Sequence, residues 1–172
     1  MSSISKLLTE YNHLGRGNNE RKRAILFELK SQPCAETSSF LMHVALCDEE
    51  WDVIRVEALG DLANNEYMKP SDDGAVANAI SQLIEDVRVS SLVRQHAALA
   101  VDSFLKSEVL FNTVQKHILD PFEDLDVRLN LLASLQSAGS SERAISVLNA
   151  ITNDRELGST ARGVLEEWGR TS

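Results

Sequence analysis

Aromatic side chains make up only 5% of this chain, and its 172 residues include just 3 prolines and 8 glycines. That is too little turn-forming residue for a β-sandwich or barrel, whose many short strands need frequent turns. Cysteine is scarce too. Two of them, Cys34 and Cys47, make neither a disulfide framework nor a zinc set. Both sit in apolar stretches and are expected as buried thiols. No run of about 18 apolar residues is present, the length a membrane-spanning helix needs. Met1 to Tyr11 is polar and amphipathic, without the apolar core of a secretion signal, so the expectation is a soluble cytoplasmic protein.

Positive charge is the next deficit. Seventeen Lys and Arg face 26 Asp and Glu, a formal net charge of -9. Nucleic acid and anionic membranes bind basic surfaces, so direct binding to either is disfavoured. Residues 1–30 hold six basic residues against three acidic ones, leaving eleven against 23 in residues 31–172. An acidic body of this kind attracts and steers a basic partner.

Catalytic motifs are also missing. No His-Glu-x-x-His, Gly-x-Ser-x-Gly, Walker loop or Gly-x-Gly-x-x-Gly occurs, and His13, His43, His96 and His117 form no i, i+4 pair. His43 follows Phe40-Leu41-Met42 and is expected to be buried or half-buried. The acidic clusters Asp48, Glu49, Glu50, Asp52 and Glu123, Asp124, Asp126 fall where helices are expected to start, and the helix dipole favours acids there. The sequence therefore points to no catalytic residue, no cofactor and no metal site.

What the chain does contain is a repeat. Arg21, Arg55, Arg94, Arg128 and Arg162 are spaced 34, 39, 34 and 34 residues apart. Three residues after each stands Ala24, Ala58, Ala97, Leu131 or Leu165. A second ladder runs upstream: Asp86, Asp120 and Asp154 lie eight residues before their arginines, and Asp48 lies seven before Arg55. Five extra residues in the long step fall in or near Asn64–Gly74, the most turn-like stretch of the chain.

Apolar residues at three- and four-residue spacing divide each unit into two helices. Ten are expected, at about 3–14, 19–31, 36–47, 50–64, 72–85, 90–105, 107–119, 123–138, 140–152 and 156–168. Ser71-Asp72-Asp73, Asp120-Pro121 and Ser140-Ser141-Glu142 read as helix openings, and Gly139 as a helix end. The short links imply antiparallel neighbours. One domain spans 1–172, in units of approximately 1–31, 36–64, 72–105, 107–138 and 140–170.

Val53-Ile54-Arg55-Val56-Glu57-Ala58-Leu59, Val93-Arg94-Gln95-His96-Ala97-Ala98-Leu99 and Asp126-Val127-Arg128-Leu129-Asn130-Leu131-Leu132 resemble the Asp…Val-Arg-x-x-Ala-x-x-x-Leu pattern of HEAT repeats. The resemblance covers nearly the whole chain. It implies an all-α fold, a right-handed α-α superhelix (solenoid) of about five HEAT-like helix pairs. It also implies that Arg55, Arg94, Arg128 and Arg162 are structural, bridging neighbouring units with the aspartates. Tetratricopeptide repeats share the period, but their Trp…Leu-Gly…Tyr pattern is missing.

Solenoids bind partners along the surface lined by the second helix of each unit. In Trp51–Asn64 the buried stripe is expected to be Val53, Val56, Leu59, Leu62 and Ala63. Glu50, Glu57, Asp61 and Asn64 then form the exposed ridge. The repeat transfers this ridge to Arg16, Arg23, Phe27 and Lys30; to Val89, His96, Ala100 and Ser103; to Glu123, Asn130, Ser134 and Ser137; and to Leu157, Val164 and Trp168. The candidate protein-binding residues are Glu50, Glu57, Asp61, Asn64, His96, Glu123, Asn130 and Trp168. Phe27 and Trp168 fit either exposed anchors or terminal caps. The partner expected is another protein, such as a basic toxin or nuclease domain, with the chain as an immunity-type inhibitor acting through an acidic concave surface. The alternatives are an adaptor, chaperone or regulatory subunit, and a HEAT-like lyase subunit. DNA-glycosylase-like binding is disfavoured by the net charge.

Overall fold

Leu, Ala, Val and Ile at helical spacing give each segment one apolar stripe, and such a stripe is stable only when another helix covers it. The structure, a computed structural model, describes residues 2–15, 17–64 and 73–170. Its helices are α1 (Ser3–His13), α2 (Asn19–Lys30), α3 (Ala35–Leu46), α4 (Asp52–Ala63), α5 (Asp73–Glu85), α6 (Ser91–Leu99), α7 (Glu108–Leu119), α8 (Leu125–Ala138), α9 (Glu142–Ala150) and α10 (Gly158–Glu167). A short 3-10 helix, Asp102–Phe104, follows α6. No strand occurs among the described residues. Arg16, Ser71, Asp72 and most of the turn-like stretch carrying the insertion lie outside them.

Each odd-numbered helix packs on the even-numbered helix after it. Between pairs, α3 meets α5, α5 meets α7 and α7 meets α9, while α2 meets α4, α4 meets α6 and α6 meets α8. First helices therefore stack on first helices and second on second, a solenoid-like arrangement. One apolar cluster runs unbroken from Leu7 to Leu165. Ile25, Leu59, Ile80, Leu110 and Leu131 are wholly buried in it, each contributing roughly 1.5–3 kcal/mol.

The arginine ladder shows how a pair is locked. Arg55 Nε donates to the Ala45 carbonyl at 3.0 Å, Arg94 Nε to Ile84 at 3.0 Å and Arg128 Nε to Ile118 at 3.1 Å. Arg162 donates to the Thr152 carbonyl. Each guanidinium thus satisfies a carbonyl ten residues upstream, at the end of the preceding helix, where no intrahelical donor remains. Arg55, Arg94 and Arg128 are buried, and Arg162 is exposed. Arg21 is not part of this set: it is half-buried and binds Glu10 and Glu28. Among the described residues of the first unit, the buried cation is its neighbour, Lys22.

Turning Arg55 inward rotates α4 relative to the expected register. The buried stripe is Ile54, Arg55, Ala58, Leu59 and Leu62. Val53 is exposed, while Val56 and Ala63 are half-buried. α2 begins at Asn19 as expected, but α4, α6, α8 and α10 begin one or two residues later than expected. Asp86 accepts from the Arg88 N–H, Asp120 from Phe122, and Asp154 from Glu156 and Leu157. These side chains close turns before the helix starts. Asp120-Pro121 therefore opens a turn, and Asp124 is the true cap of α8. The sixth helix is shorter as well, ending at Leu99, with the 3-10 helix Asp102–Phe104 in place of its expected last turn.

Gly139 ends α8 at a φ of 87°, a conformation glycine adopts without strain. Two further expectations are corrected. His43 is exposed, because it lies outside the stripe of α3 formed by Phe40, Leu41, Val44 and Ala45. Cys34 and Cys47 are partly exposed, because they cap the two ends of α3 and do not lie within its core stripe.

Candidate protein-binding surface

The ridge carried along the second helices turns out to be largely the seam between units. Arg23 Nε meets Glu57 at 2.5 Å and Lys30 Nζ meets Asp61 at 3.3 Å, both joining α2 to α4. Asn130 donates to the Gln95 carbonyl at 3.1 Å and Ser134 to the Ala98 carbonyl at 2.8 Å, joining α8 to α6. Ser103 reaches the Ala63 carbonyl and Ser137 reaches Asp102. Residues 31 to 40 apart touch here because that is about one unit of the stack.

Two of the acidic candidates are corrected outright. Glu50 is partly buried with its side chain almost enclosed, accepting from Lys22 Nζ at 2.6 Å and from the Tyr11 hydroxyl at 2.9 Å. The Glu123 side chain is likewise almost enclosed, between Arg94, at 2.6 Å, and His117 Nδ1, at 2.5 Å. Desolvation opposes both charges, but the hydrogen bonds outweigh it. Lys22 and Tyr11 hold Glu50 below the usual carboxylate range, and Arg94 and His117 hold Glu123 down to about 2. With Arg128–Asp154 at 2.5 Å, these pairs lock one unit to the next. Only Asp154 of the aspartate ladder is seen bridging units by an ion pair among the described residues; Asp86 and Asp120 close turns instead.

The remaining candidates divide. Glu57 and Asp61 come together in a groove of about 680 Å³ between α2 and α4, beside Arg23, Phe27 and Gly60. Burial raises the Asp61 carboxyl, against the opposing effect of Lys30. Asn64 is partly buried at the end of α4, and His96 is partly buried on α6, apart from that groove. Leu157 and Val164 belong to the core. Trp168 is partly buried against the same core and acts as the terminal cap. Phe27 is the opposite case, 76% exposed at the mouth of the groove.

The sequence reading passed over the turns that join first to second helices. Trp51 is 61%, Val87 80% and Phe122 95% exposed. Val53, Leu92 and Leu125, at the starts of α4, α6 and α8, are exposed as well. The signal was an apolar residue within three positions after Asp48, Asp86 and Asp120, in turns that leave it exposed; after Asp154 the equivalent residue, Leu157, is buried.

Among the described residues, no group of His, Cys, Asp and Glu is arranged to hold a metal ion, and no helix is long and apolar enough to cross a membrane. The fold and this surface define an all-helical stack of helix pairs with large apolar side chains exposed along its second-helix side. Comparison with family models, with curated proteins and with solved structures finds no match for this chain.

Proposed function

We propose that this chain is a HEAT-like, non-catalytic protein-binding module, an immunity-type inhibitor that neutralises a basic toxin in the cytoplasm. One observation supports this above the others. Phe27, Trp51 and Phe122 stand more than 60% in solvent, and all three lie on second helices or on the turns that lead into them. Exposed aromatics gathered on one side of a scaffold are costly in water and favourable in an interface, where such residues supply the anchors. The net charge of -9 adds attraction for a basic protein.

The test is co-expression with the product of the neighbouring gene. A one-to-one complex that protects cells from that product, and that Phe27→Ser, Trp51→Ser and Phe122→Ser together dissolve, supports the proposal. A folded triple variant that still protects, or no stoichiometric complex at all, refutes it. An adaptor or regulatory subunit would instead show several weaker partners.

A further inference from the structure

Most of the acid on the second-helix ridge is already paired within the protein, so that ridge is not where a basic partner finds charge. Part of the acid left over lies along one edge. Because first helices stack on first and second on second, the turns at 47–51, 86–90 and 120–124 fall side by side. Side-chain contacts tie them together. Arg94 crosses to Glu123 and Ser91 donates to Asp124 at 3.1 Å, joining the start of α6 to the turn before α8.

We infer that this edge is the docking surface for a basic segment of the partner protein, in which apolar anchors alternate with Lys or Arg. The inference rests on the protein-binding reading above and deepens it. Trp51, Val87 and Phe122 supply one exposed apolar knob per unit over three successive units. Asp48, Asp120 and Asp126 are exposed around them, and none takes part in an ion pair among the described residues. Neither 48–53 nor 120–126 contains a Lys or Arg. Arg88, in the middle turn, is held by Asp86 at 2.7 Å.

This charge balance rejects nucleic acid and selects cations. A second copy of the chain is a poor occupant. Four cations of its basic first unit are already engaged, Arg21 with Glu10, Lys22 with Glu50, Arg23 with Glu57 and Lys30 with Asp61. Stacked helices lie about 8–10 Å apart, which sets the spacing of the knobs. Anchors about 9–10 Å apart recur on one face at every third residue of a polyproline-II-like segment, which has three residues per turn and rises about 3.1 Å per residue.

The experiment selects random dodecapeptides displayed on phage against the full chain. Synthetic versions of the winners are then titrated by tryptophan fluorescence in a Trp168→Phe background, where Trp51 is the reporter. Enriched peptides should be basic, with apolar residues about three apart. Binding should fall about tenfold or more in Phe122→Ser. It should also lose its salt dependence when Asp48, Asp120 and Asp126 become asparagine, a change that keeps the Asp120 turn acceptor. Circular dichroism confirms that each variant is folded. Neutral or acidic winners, no enrichment, or binding lost in Phe27→Ser but intact in Phe122→Ser would overturn the inference. If a co-expressed partner binds while this edge proves inert, only the edge assignment fails. If no partner binds, the underlying reading fails with it.

Discussion

Replacing Glu123 by glutamine leaves the shape of the buried Arg94–Glu123–His117 cluster nearly unchanged and removes its negative charge. The cluster holds the carboxyl at about 2, from an ordinary value of 4.5. At about 1.4 kcal/mol per unit, that shift is worth roughly 3 kcal/mol of folding stability. The Glu123 side chain is only 8% exposed, so solvent screening removes little of it. Breaking a buried pair from one side costs about 3–5 kcal/mol, and glutamine keeps some hydrogen bonding, so a loss of about 2–4 kcal/mol is expected at pH 7. The pH dependence follows from the sign of the shift. A depressed carboxyl stabilises fully above about pH 4.5 and loses that contribution as pH falls towards 2. Urea unfolding followed by circular dichroism at pH 7, 4 and 3 reads both effects. The wild-type chain should lose stability faster between pH 4.5 and 3 than Glu123→Gln, by up to about 1.4 kcal/mol per pH unit. A variant within about 0.5 kcal/mol of wild type at pH 7, or parallel acid profiles, would refute the account of this cluster.

Lys22→Met should cost about 3 kcal/mol by stranding Glu50, and Glu50→Gln in the same chain should recover part of it, as a double-mutant cycle in urea would show. Arg128→Ala should destabilise far more than Arg162→Ala in thermal melts, because Arg128 is buried and paired while Arg162 is exposed. Gly158→Ala should cost about 1–3 kcal/mol, since its new Cβ would sit 2.5 Å from the Thr152 carbonyl oxygen; an unchanged melting temperature would contradict that. Cys34 and Cys47 cap opposite ends of α3, about 20 Å apart at 1.5 Å per residue. Thiol titration of the native protein should therefore still find two free thiols after mild oxidation.

The helix pairs were legible in the sequence because the arginine, alanine and aspartate positions recur with the unit itself. Their orientation was less legible. Arg55, Arg94 and Arg128 look like surface residues by polarity, yet each faces inward to satisfy a helix-end carbonyl. That places Ile54 in the core and turns Val53 out, so the inferred ridge shifted onto the seam. Glu50 and Glu123 were misplaced for the same reason: their buried partners, Lys22 and Arg94, lie 28 and 29 residues away, in the preceding unit. Lys22 itself was hidden beside Arg21, whose spacing matched the ladder better. Trp51, Val87 and Phe122 stayed out of view because helical periodicity assigns side chains to helix faces, and only their closeness to the ladder aspartates marked them in the turns.

The central claim is that the second-helix side, and the turn edge beside it, hold a protein partner. Amide hydrogen exchange on the one-to-one complex with the neighbouring gene's product tests this most directly. Slowed exchange over 48–53, 86–92 and 120–126, with α5, α7 and α9 unchanged, is the result expected. Protection confined to those first helices, or no protection anywhere, would contradict it.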